Sequence, residues 1–376
     1  MLFYSIVATA ATVLYHLGIV SHRKKEAELS ILFFSMYVLV PSIIGGVRDL
    51  DIGTDMDTYV VKFYNWISAA NNLYNALNVV GEKEYGYYLL NYLSSAVYDD
   101  IHFFLFVVEA IKITLIGITA FHFRKKCEPA LIILPYFLFS WWYGLSVMRQ
   151  SLAIAICFFA FVKYTNRQYF HFIILTLIAY TFHNSSIFIL LLPLINIFVK
   201  RQIHILVNLL IIVILYLGAN TLVTTISTIG IVSKEMTDRY IDTGVDSAKS
   251  NLLITTIFLM YSLYRYYICN LHIKKGLKEK SKALRKQLVL MYMNTSLCAY
   301  SIFFLLMAKY FEVAFRVSYY PMIGIMIITP IIIKADKKYF REASVIYIML
   351  YAFYYYLESR HGLADTIPYR SEILGI

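Results

Sequence analysis

The chain has 376 residues, of which 60% are hydrophobic and 15% are charged, and its formal net charge is +11. Soluble domains carry nearer a quarter charged residues, so this composition excludes an ordinary soluble globular protein. Apolar stretches of roughly 17 to 24 residues recur along the chain, and such a stretch is long enough to span the hydrocarbon core of a bilayer. The composition therefore predicts an all-α polytopic membrane protein.

In chain order, twelve apolar runs are predicted to form transmembrane or re-entrant helices, and two or three of them are short. They cover residues 2–20, 29–47, 101–122, 130–147, 150–164, 169–182, 185–199, 203–226, 250–269, 288–307, 313–333 and 343–357. The first run lacks the features of a cleavable signal peptide, so we interpret it as a span. We expect 1–376 to be a single integral membrane domain whose longer connections are 48–100, 227–249, 270–287 and 358–376.

Basic residues concentrate in alternate connections, and the densest group is the block 274–286. The positive-inside rule places these connections in the cytoplasm. Both termini and the connections 48–100 and 227–249 then face outward. The positive charge is explained by topology and by anionic lipid, so it does not indicate a nucleic-acid partner.

The stretch GGVRDLDIGTDMDTYV, residues 45–60, places one arginine and four aspartates after a predicted span. If a helix begins here, Asp51, Asp55 and Tyr59 share one face. The aspartates then either complement the helix dipole, with Arg48 as a counter-ion, or form a site. In such a site Arg48 binds phosphate and Asp55 binds a sugar hydroxyl.

Two further outward segments carry isolated polar residues. In EYGYYLLNY, Glu84, Tyr88 and Asn91 share one helical face. In TFHNSSIF, His183 lies between two apolar runs and precedes residues that can cap the next helix. Glu84 can be a solvated carboxylate and His183 a hydrogen-bonded structural residue, or both can take part in chemistry.

Arg149 and Gln150 interrupt the otherwise apolar run WWYGLSVMRQSLAIAI. An arginine toward the membrane interior costs about 2.5–3.5 kcal/mol on insertion scales, so such residues face a cavity or a partner. Snorkelling of the side chain to the headgroups is the alternative. Gly144 and Ser146 predict a broken helix just before Arg149, with polar backbone lining a water-filled cavity.

The last polar groups are Arg316 in FRVSYYP, which Tyr319 follows inside an apolar run, and Arg370 in IPYRSE. Glu312, four residues before Arg316, can pair with it. Arg370 lies in the outward tail, which can fold back over a cavity. Arginine recognises phosphate oxygens bidentately, and several arginines suit a multiply charged phosphate.

Known nucleotide-binding and hydrolase motifs are missing from the sequence, which argues against an ATP-driven pump. The four cysteines are scattered and have no metal-type spacing. We therefore expect no zinc site, and a site that binds an anion presented from the outer face of the membrane. Its charged members are Arg48, Asp55, Glu84, Arg149, His183, Arg316 and Arg370.

The order of these motifs resembles a known family, the EpsG-like, Wzy-type polysaccharide polymerases. The resemblance is carried by GGVRDLDIGTDMDTY, EYGYYLLNYL, MRQSLAIAI, FHNSSIF, FRVSYYP and IPYRSEI, and it extends through essentially the whole chain. It maps the functional residues of the family onto Arg48, Asp55, Tyr59, Glu84, Arg149, Gln150, His183 and Arg316, and through the tail onto Arg370.

The resemblance implies a GT-C-like glycosyltransferase of the bacterial inner membrane whose site faces the periplasm. Such enzymes join undecaprenyl-pyrophosphate-linked oligosaccharide repeats in O-antigen, capsule or exopolysaccharide synthesis, without a cofactor. The expected partners are that lipid-linked oligosaccharide, membrane lipid and a chain-length regulator protein. Arg48, Arg149, Arg316 and Arg370 would bind pyrophosphate, and Tyr59, Tyr88, Gln150 and Tyr319 would contact sugar.

The acceptor hydroxyl needs a general base, and Asp55, Glu84 and His183 are the three candidates. We prefer Asp55 because the resemblance centres on its Gly-Thr-Asp context, and His183 is its strongest rival. Two other functions stay open. One is an O-antigen-type ligase, which differs only in the acceptor. The other is a lipid-linked oligosaccharide flippase or transporter, although we find no inverted repeat in the sequence.

Overall fold

The computed structural model describes residues 1–79, 84–194, 248–274, 281–308, 312–362 and 364–376, with positions 210, 213, 214 and 217. Every regular element in these residues is helical, which confirms the all-α prediction for them. The chain divides into two compact units, Met1–Ile187 with Ser344–Ile376, and Phe188–Ala343. The predicted span 203–226, the loop 227–249 and part of the basic block 274–286 lie outside the described residues.

By length and composition, six helices of the described residues can cross a membrane. In the first unit they are α1 (Leu2–Lys24), α2 (Ala27–Gly46) and α6 (Ile101–Phe123). In the second unit they are α11 (Ala248–Lys274), α12 (Ser281–Met307) and α13 (Glu312–Ala335). The chain is therefore a multi-pass membrane protein, and the count of twelve spans stays a prediction.

The three long helices of the first unit are joined by tyrosine hydroxyl groups that bind backbone carbonyl groups. Tyr15 of α1 donates to the carbonyl of Gly117 on α6 at 2.7 Å. Tyr37 of α2 donates to the carbonyl of Ile113 at 3.2 Å. Polar groups in hydrocarbon need such partners, so tyrosine can serve as a core residue here. Many of the 34 tyrosines are thus buried.

The connection 48–100 is helical for much of its length. It contains a π-helical turn (Met56–Val60), α3 (Val61–Ser68), α4 (Leu73–Val79) and α5 (Tyr85–Val97). Asp55 is the N-cap residue of the first of these, so Asp51 lies before the helix. The prediction that Asp51 shares a helical face with Asp55 and Tyr59 is wrong, because Gly53 has φ of +103° and ends any helix that would include Asp51.

The predicted run 130–147 is broken into short pieces. They are α7 (Ala130–Tyr136), a π-helical segment (Phe137–Trp141) and α8 (Trp142–Ser146). Val147 then leaves the helical region, with φ of −97° and ψ of 67°. The break predicted before Arg149 is therefore confirmed.

After the break, α9 (Met148–Thr165) leads to α10 (Tyr169–Phe182) and a 3₁₀ segment (Asn184–Leu190). Helix α9 packs against both α6 and α10, and most of its side chains are buried. A helix that is apolar on all sides suits that central place in the first unit.

In the second unit, α11, α12 and α13 are tied together by a buried amide. Asn294 of α12 donates to Ser262 of α11 at 2.6 Å and to Thr329 of α13 at 3.1 Å. Near the ends of these helices, Arg265 pairs with Asp336. Helix α14 (Phe340–Ser359) follows α13 along the chain.

The C-terminal tail packs against the start of α1 and the end of α2. The ring of Tyr369 stacks on Phe3 with centroids 4.1 Å apart, and its hydroxyl donates to the carbonyl of Ile44 at 2.8 Å. Tyr4 donates to the carbonyl of Thr366 at 2.7 Å. The start of α1, the end of α2 and the tail thus meet at one end of this unit.

Candidate functional site

The centre of the candidate site is an ion pair between two residues far apart in sequence. Glu84 immediately precedes α5, and Arg149 lies in the first turn of α9. Arg149 Nη1 is 2.7 Å from Glu84 Oε2, and the side chains are 16% and 9% exposed. A carboxylate that is this buried needs a partner of opposite charge. Because both side chains keep some exposure, the pair lies at the edge of the core and can meet a ligand.

His183 adds an imidazole to this pair. Its Nε2 lies 3.9 Å from Glu84 Oε1. Its Nδ1 lies 2.7 Å from Ser185 Oγ and accepts the Ser185 backbone N–H at 3.3 Å. Since a backbone N–H can only donate, the neutral imidazole carries its proton on Nε2, toward Glu84. The lone pair of Nδ1 is thus already used within the protein.

Aromatic rings hold the guanidinium of Arg149 from a further direction. Its Cζ lies 4.8 Å from the ring centroid of Tyr59 and 6.0 Å from that of Phe63. Contacts of this kind stabilise a cation by about 0.5–2 kcal/mol. Tyr88 is fully buried and packs edge-on against Phe63, with centroids 5.7 Å apart. Tyr59 and Tyr88 therefore support Arg149 in this structure, and their contact with sugar stays a prediction.

The hydroxyl of Tyr87 shows which other charged groups lie nearby. Burial raises the pKa of Tyr87, the positive charges of Arg149 and Arg48 lower it, and the negative charges of Asp55 and Glu84 raise it. All four charged groups therefore act on this one hydroxyl, which has no hydrogen-bond partner among the described residues. The structure thus brings Asp55, Glu84, Arg149, Arg48 and His183 into one region.

Arg48 differs from Arg149 because its side chain has no exposed surface. Its guanidinium donates to the carbonyl groups of Gly45 and Leu145, the latter at 3.0 Å, and Nη2 lies 3.3 Å from the sulfur of Met148. Burial lowers the pKa of Arg48. Arg48 thus supports the site by binding carbonyl groups at the ends of α2 and α8. Direct contact with a phosphate would require its neighbouring residues to move.

Local contacts explain why Gly53 and Thr54 precede Asp55. The backbone N–H of Thr54 donates to Ser146 Oγ at 2.9 Å, and the two hydroxyl groups are 2.6 Å apart. A Cβ at Gly53 would lie 2.9 Å from the Cα of Ser146, so only glycine fits. Gly53 permits this approach, Thr54 fastens the segment to the end of α8, and Asp55 begins the next helix.

The remaining predicted residues have other contacts or belong to the second unit. Arg370 pairs with Asp51 near the surface, where both side chains are about half exposed. Arg316 and Tyr319 belong to α13 in the second unit, and the ring of Tyr319 contacts Phe315 at 5.6 Å. Gln150 is buried in α9 beside Arg149.

A second buried ion pair lies in α6 and was not predicted from the sequence. Lys112 Nζ is 2.5 Å from Glu109 Oε1, and neither side chain is exposed. Trp141 Nε1 donates to Glu109 Oε2 at 3.1 Å. The sequence contains a signal for this ion pair. Two opposite charges three residues apart in an apolar run predict an ion pair that faces the protein interior.

Comparison with known proteins supplies the family. No curated protein and no solved structure matches the chain. The model of the EpsG family matches residues 6–371, which include every predicted site residue from Arg48 to Arg370. The resemblance seen in the motifs is confirmed, and the chain belongs to the EpsG family.

Proposed function

We propose that this protein is a polysaccharide polymerase that joins undecaprenyl-pyrophosphate-linked oligosaccharide repeats at the periplasmic face of the bacterial inner membrane. The products would be O-antigen, capsule or exopolysaccharide chains. Membership of the EpsG family supports the polymerase role. The observation that carries the proposal is the partly buried pair of Arg149 and Glu84, which lies beside His183 at the break between α8 and α9.

The leaving group of this reaction is a pyrophosphate, whose negative charge must be stabilised. Arg149 lies in the first turn of the 18-residue helix α9, where the helix dipole also favours an anion. Preorganised cations of this kind contribute most in a site that excludes water. We assign the main pyrophosphate contact to Arg149 and further contacts to Arg316 and Arg370. Arg48 is assigned a supporting role within the protein.

The acceptor supplies a sugar hydroxyl, which attacks the anomeric carbon at the end of the growing chain. The bond from that carbon to the pyrophosphate oxygen breaks, and the hydroxyl proton passes to a base. We assign this base to Asp55. Glu84 is ion-paired with Arg149, and His183 uses its Nδ1 lone pair for Ser185. Tyr59 is the proposed sugar contact, and the buried side chains of Gln150, Tyr88 and Tyr319 are proposed to reach a sugar after their neighbours move.

A reaction with one substrate tests the proposal. Purified protein in vesicles would receive a single lipid-linked repeat, and the products would be separated by size. We expect a ladder of products that differ by one repeat. One added glycan on a different lipid acceptor would instead indicate a ligase, and movement of the lipid without a new bond would indicate a transporter.

The proposed orientation is supported by the distribution of charge at the two ends of the first unit. The tail and the segment 47–53 meet at one end, where Asp49 Oδ1 accepts the backbone N–H of Glu372 at 2.8 Å. At the other end of α1, Arg23 lies 3.7 Å from Glu128 in a connection that is predicted to be cytoplasmic. The positive-inside rule makes the first of these ends periplasmic.

Cysteine labelling tests this orientation. In intact cells a membrane-impermeant maleimide is expected to label Glu372→Cys and Ser247→Cys, and to spare Lys337→Cys and Ser281→Cys until the cells are opened. Glu372 and Lys337 are both exposed, so their accessibility depends on the side of the membrane. The four native cysteines are buried and give little background. The opposite labelling pattern would place the site in the cytoplasm.

A further inference from the structure

The buried ion pair in α6 has contacts that reach the break before Arg149. Besides its bond with Glu109, Lys112 Nζ donates to the carbonyl of Gly144 at 3.1 Å. Trp141 satisfies the second carboxylate oxygen of Glu109. A buried pair with this many hydrogen bonds is tolerated in a membrane span, whereas removal of one partner leaves an uncompensated charge.

Two buried cations hold consecutive carbonyl groups at the end of α8. A helix that ends leaves its last carbonyl groups without intrahelical partners. Lys112 binds the carbonyl of Gly144, and Arg48 binds that of Leu145 at 3.0 Å. Both carbonyl groups lie just before the helix that carries Arg149. The place and direction from which α9 begins are therefore fixed by side chains from outside it.

The first turn of α9 is tied to the same carbonyl group. Ser151 Oγ lies 3.1 Å from the oxygen of Gly144 and 2.9 Å from that of Met148. There is no room for a larger residue, since a Cβ at position 144 would lie 2.8 Å from the Cβ of Ser151 and 3.1 Å from Lys112 Nζ. The Gly144 oxygen thus joins α6, α8 and α9 at one point.

We propose that Lys112, held in place by Glu109, is a positioning residue for Arg149. By fixing the Gly144 carbonyl it sets the start of α9, and so the place where the Arg149 guanidinium meets the pyrophosphate of the substrate. This inference rests on the proposed function. Lys112 does not itself touch substrate, because its side chain is fully buried.

The main test is the double variant Glu109→Gln/Lys112→Met, which removes the donor to Gly144 together with both charges of the pair. A misplacement of about 1 Å can cost about 100-fold in rate, so we expect kcat for elongation to fall between about 10-fold and 100-fold. The matched control is Glu109→Asp alone, which keeps both charges of the pair and the lysine donor to Gly144. For that control we expect a loss of less than about threefold, since the geometry at Gly144 is kept.

A double-mutant cycle of binding affinities distinguishes a positioning role of Lys112 from a purely structural role. The affinity for geranyl pyrophosphate would be measured in the wild type, in the Glu109→Gln/Lys112→Met variant, in Arg149→Gln and in the combination of the two. If Lys112 acts through Arg149, its removal costs affinity in the wild type and nothing further in Arg149→Gln. An equal loss in both backgrounds overturns the inference.

A further variant covers the case in which the double variant does not fold, and the wild-type binding measurement tests the proposed function separately. If the double variant does not fold, Ser151→Ala removes the other donor to Gly144 with little change in volume. The same cycle then applies, with an expected loss that disappears in Arg149→Gln. A wild-type protein that fails to bind geranyl pyrophosphate contradicts the proposed function itself. A wild-type protein that binds it, with losses that simply add, contradicts only the role of Lys112.

Discussion

Replacing Arg149 with alanine is expected to stop chain elongation while the amount of protein in the membrane stays normal. Arg149 offers a cation at the start of α9, 2.7 Å from Glu84 and over the ring of Tyr59. Removal of one preorganised group that stabilises a developing negative charge typically costs about 10²–10³-fold in kcat. The fold should survive because the pair lies at the edge of the core, where water can reach Glu84.

The Arg149→Lys variant is the matched control for charge. Lysine can still pair with Glu84, but it lacks the planar fork that holds two phosphate oxygens at once, so we expect poor rescue. Polymer length would be read from gels of extracted polysaccharide, and protein amount from immunoblots of membranes. Normal polymer from the Arg149→Ala strain would mean that this arginine only reaches toward the headgroups.

The long helices could be predicted closely because their signal is simple. Runs 2–20, 29–47 and 101–122 correspond to α1, α2 and α6, since an apolar stretch of that length has few other stable forms in a membrane. The short helices within 130–147 could not be predicted in the same way. Hydropathy predicts burial, whereas the break there depends on where individual carbonyl groups find donors.

Which of the site residues lie close together was easier to predict than the contacts that each one makes. Arg149, Glu84 and His183 were all expected in the site, but nothing in their spacing showed that Glu84 lies between the other two. Arg48 was expected to face substrate because it follows a span. The structure buries it, since the carbonyl groups of Gly45 and Leu145 both need a donor there. Pairings of this kind arise from tertiary contacts that local sequence does not encode.

Comparing variants of Asp55 and His183 is expected to identify the residue that takes the proton from the acceptor hydroxyl. Asp55 is brought to the site by Gly53 and by the contacts of Thr54 with Ser146. The neutral imidazole of His183 carries its proton on Nε2, which lies 3.9 Å from Glu84 Oε1, because Nδ1 accepts from Ser185. We prefer Asp55 as the base because the family resemblance centres on its Gly-Thr-Asp context, and we assign His183 the role of orienting Glu84.

Asp55→Asn keeps the shape and the hydrogen bonding of the side chain but removes its basicity. A general base contributes about 10²–10⁴-fold, so elongation should fall by that factor while binding of the lipid-linked repeat persists. His183→Gln keeps a side-chain amide that can donate toward Glu84, so it should slow elongation only a few-fold. Both variants would be measured by ladder formation and by retention of labelled lipid substrate on the purified protein. Normal-length polymer from Asp55→Asn, together with none from His183→Gln, would show that the histidine is the base and that Asp55 only binds the acceptor.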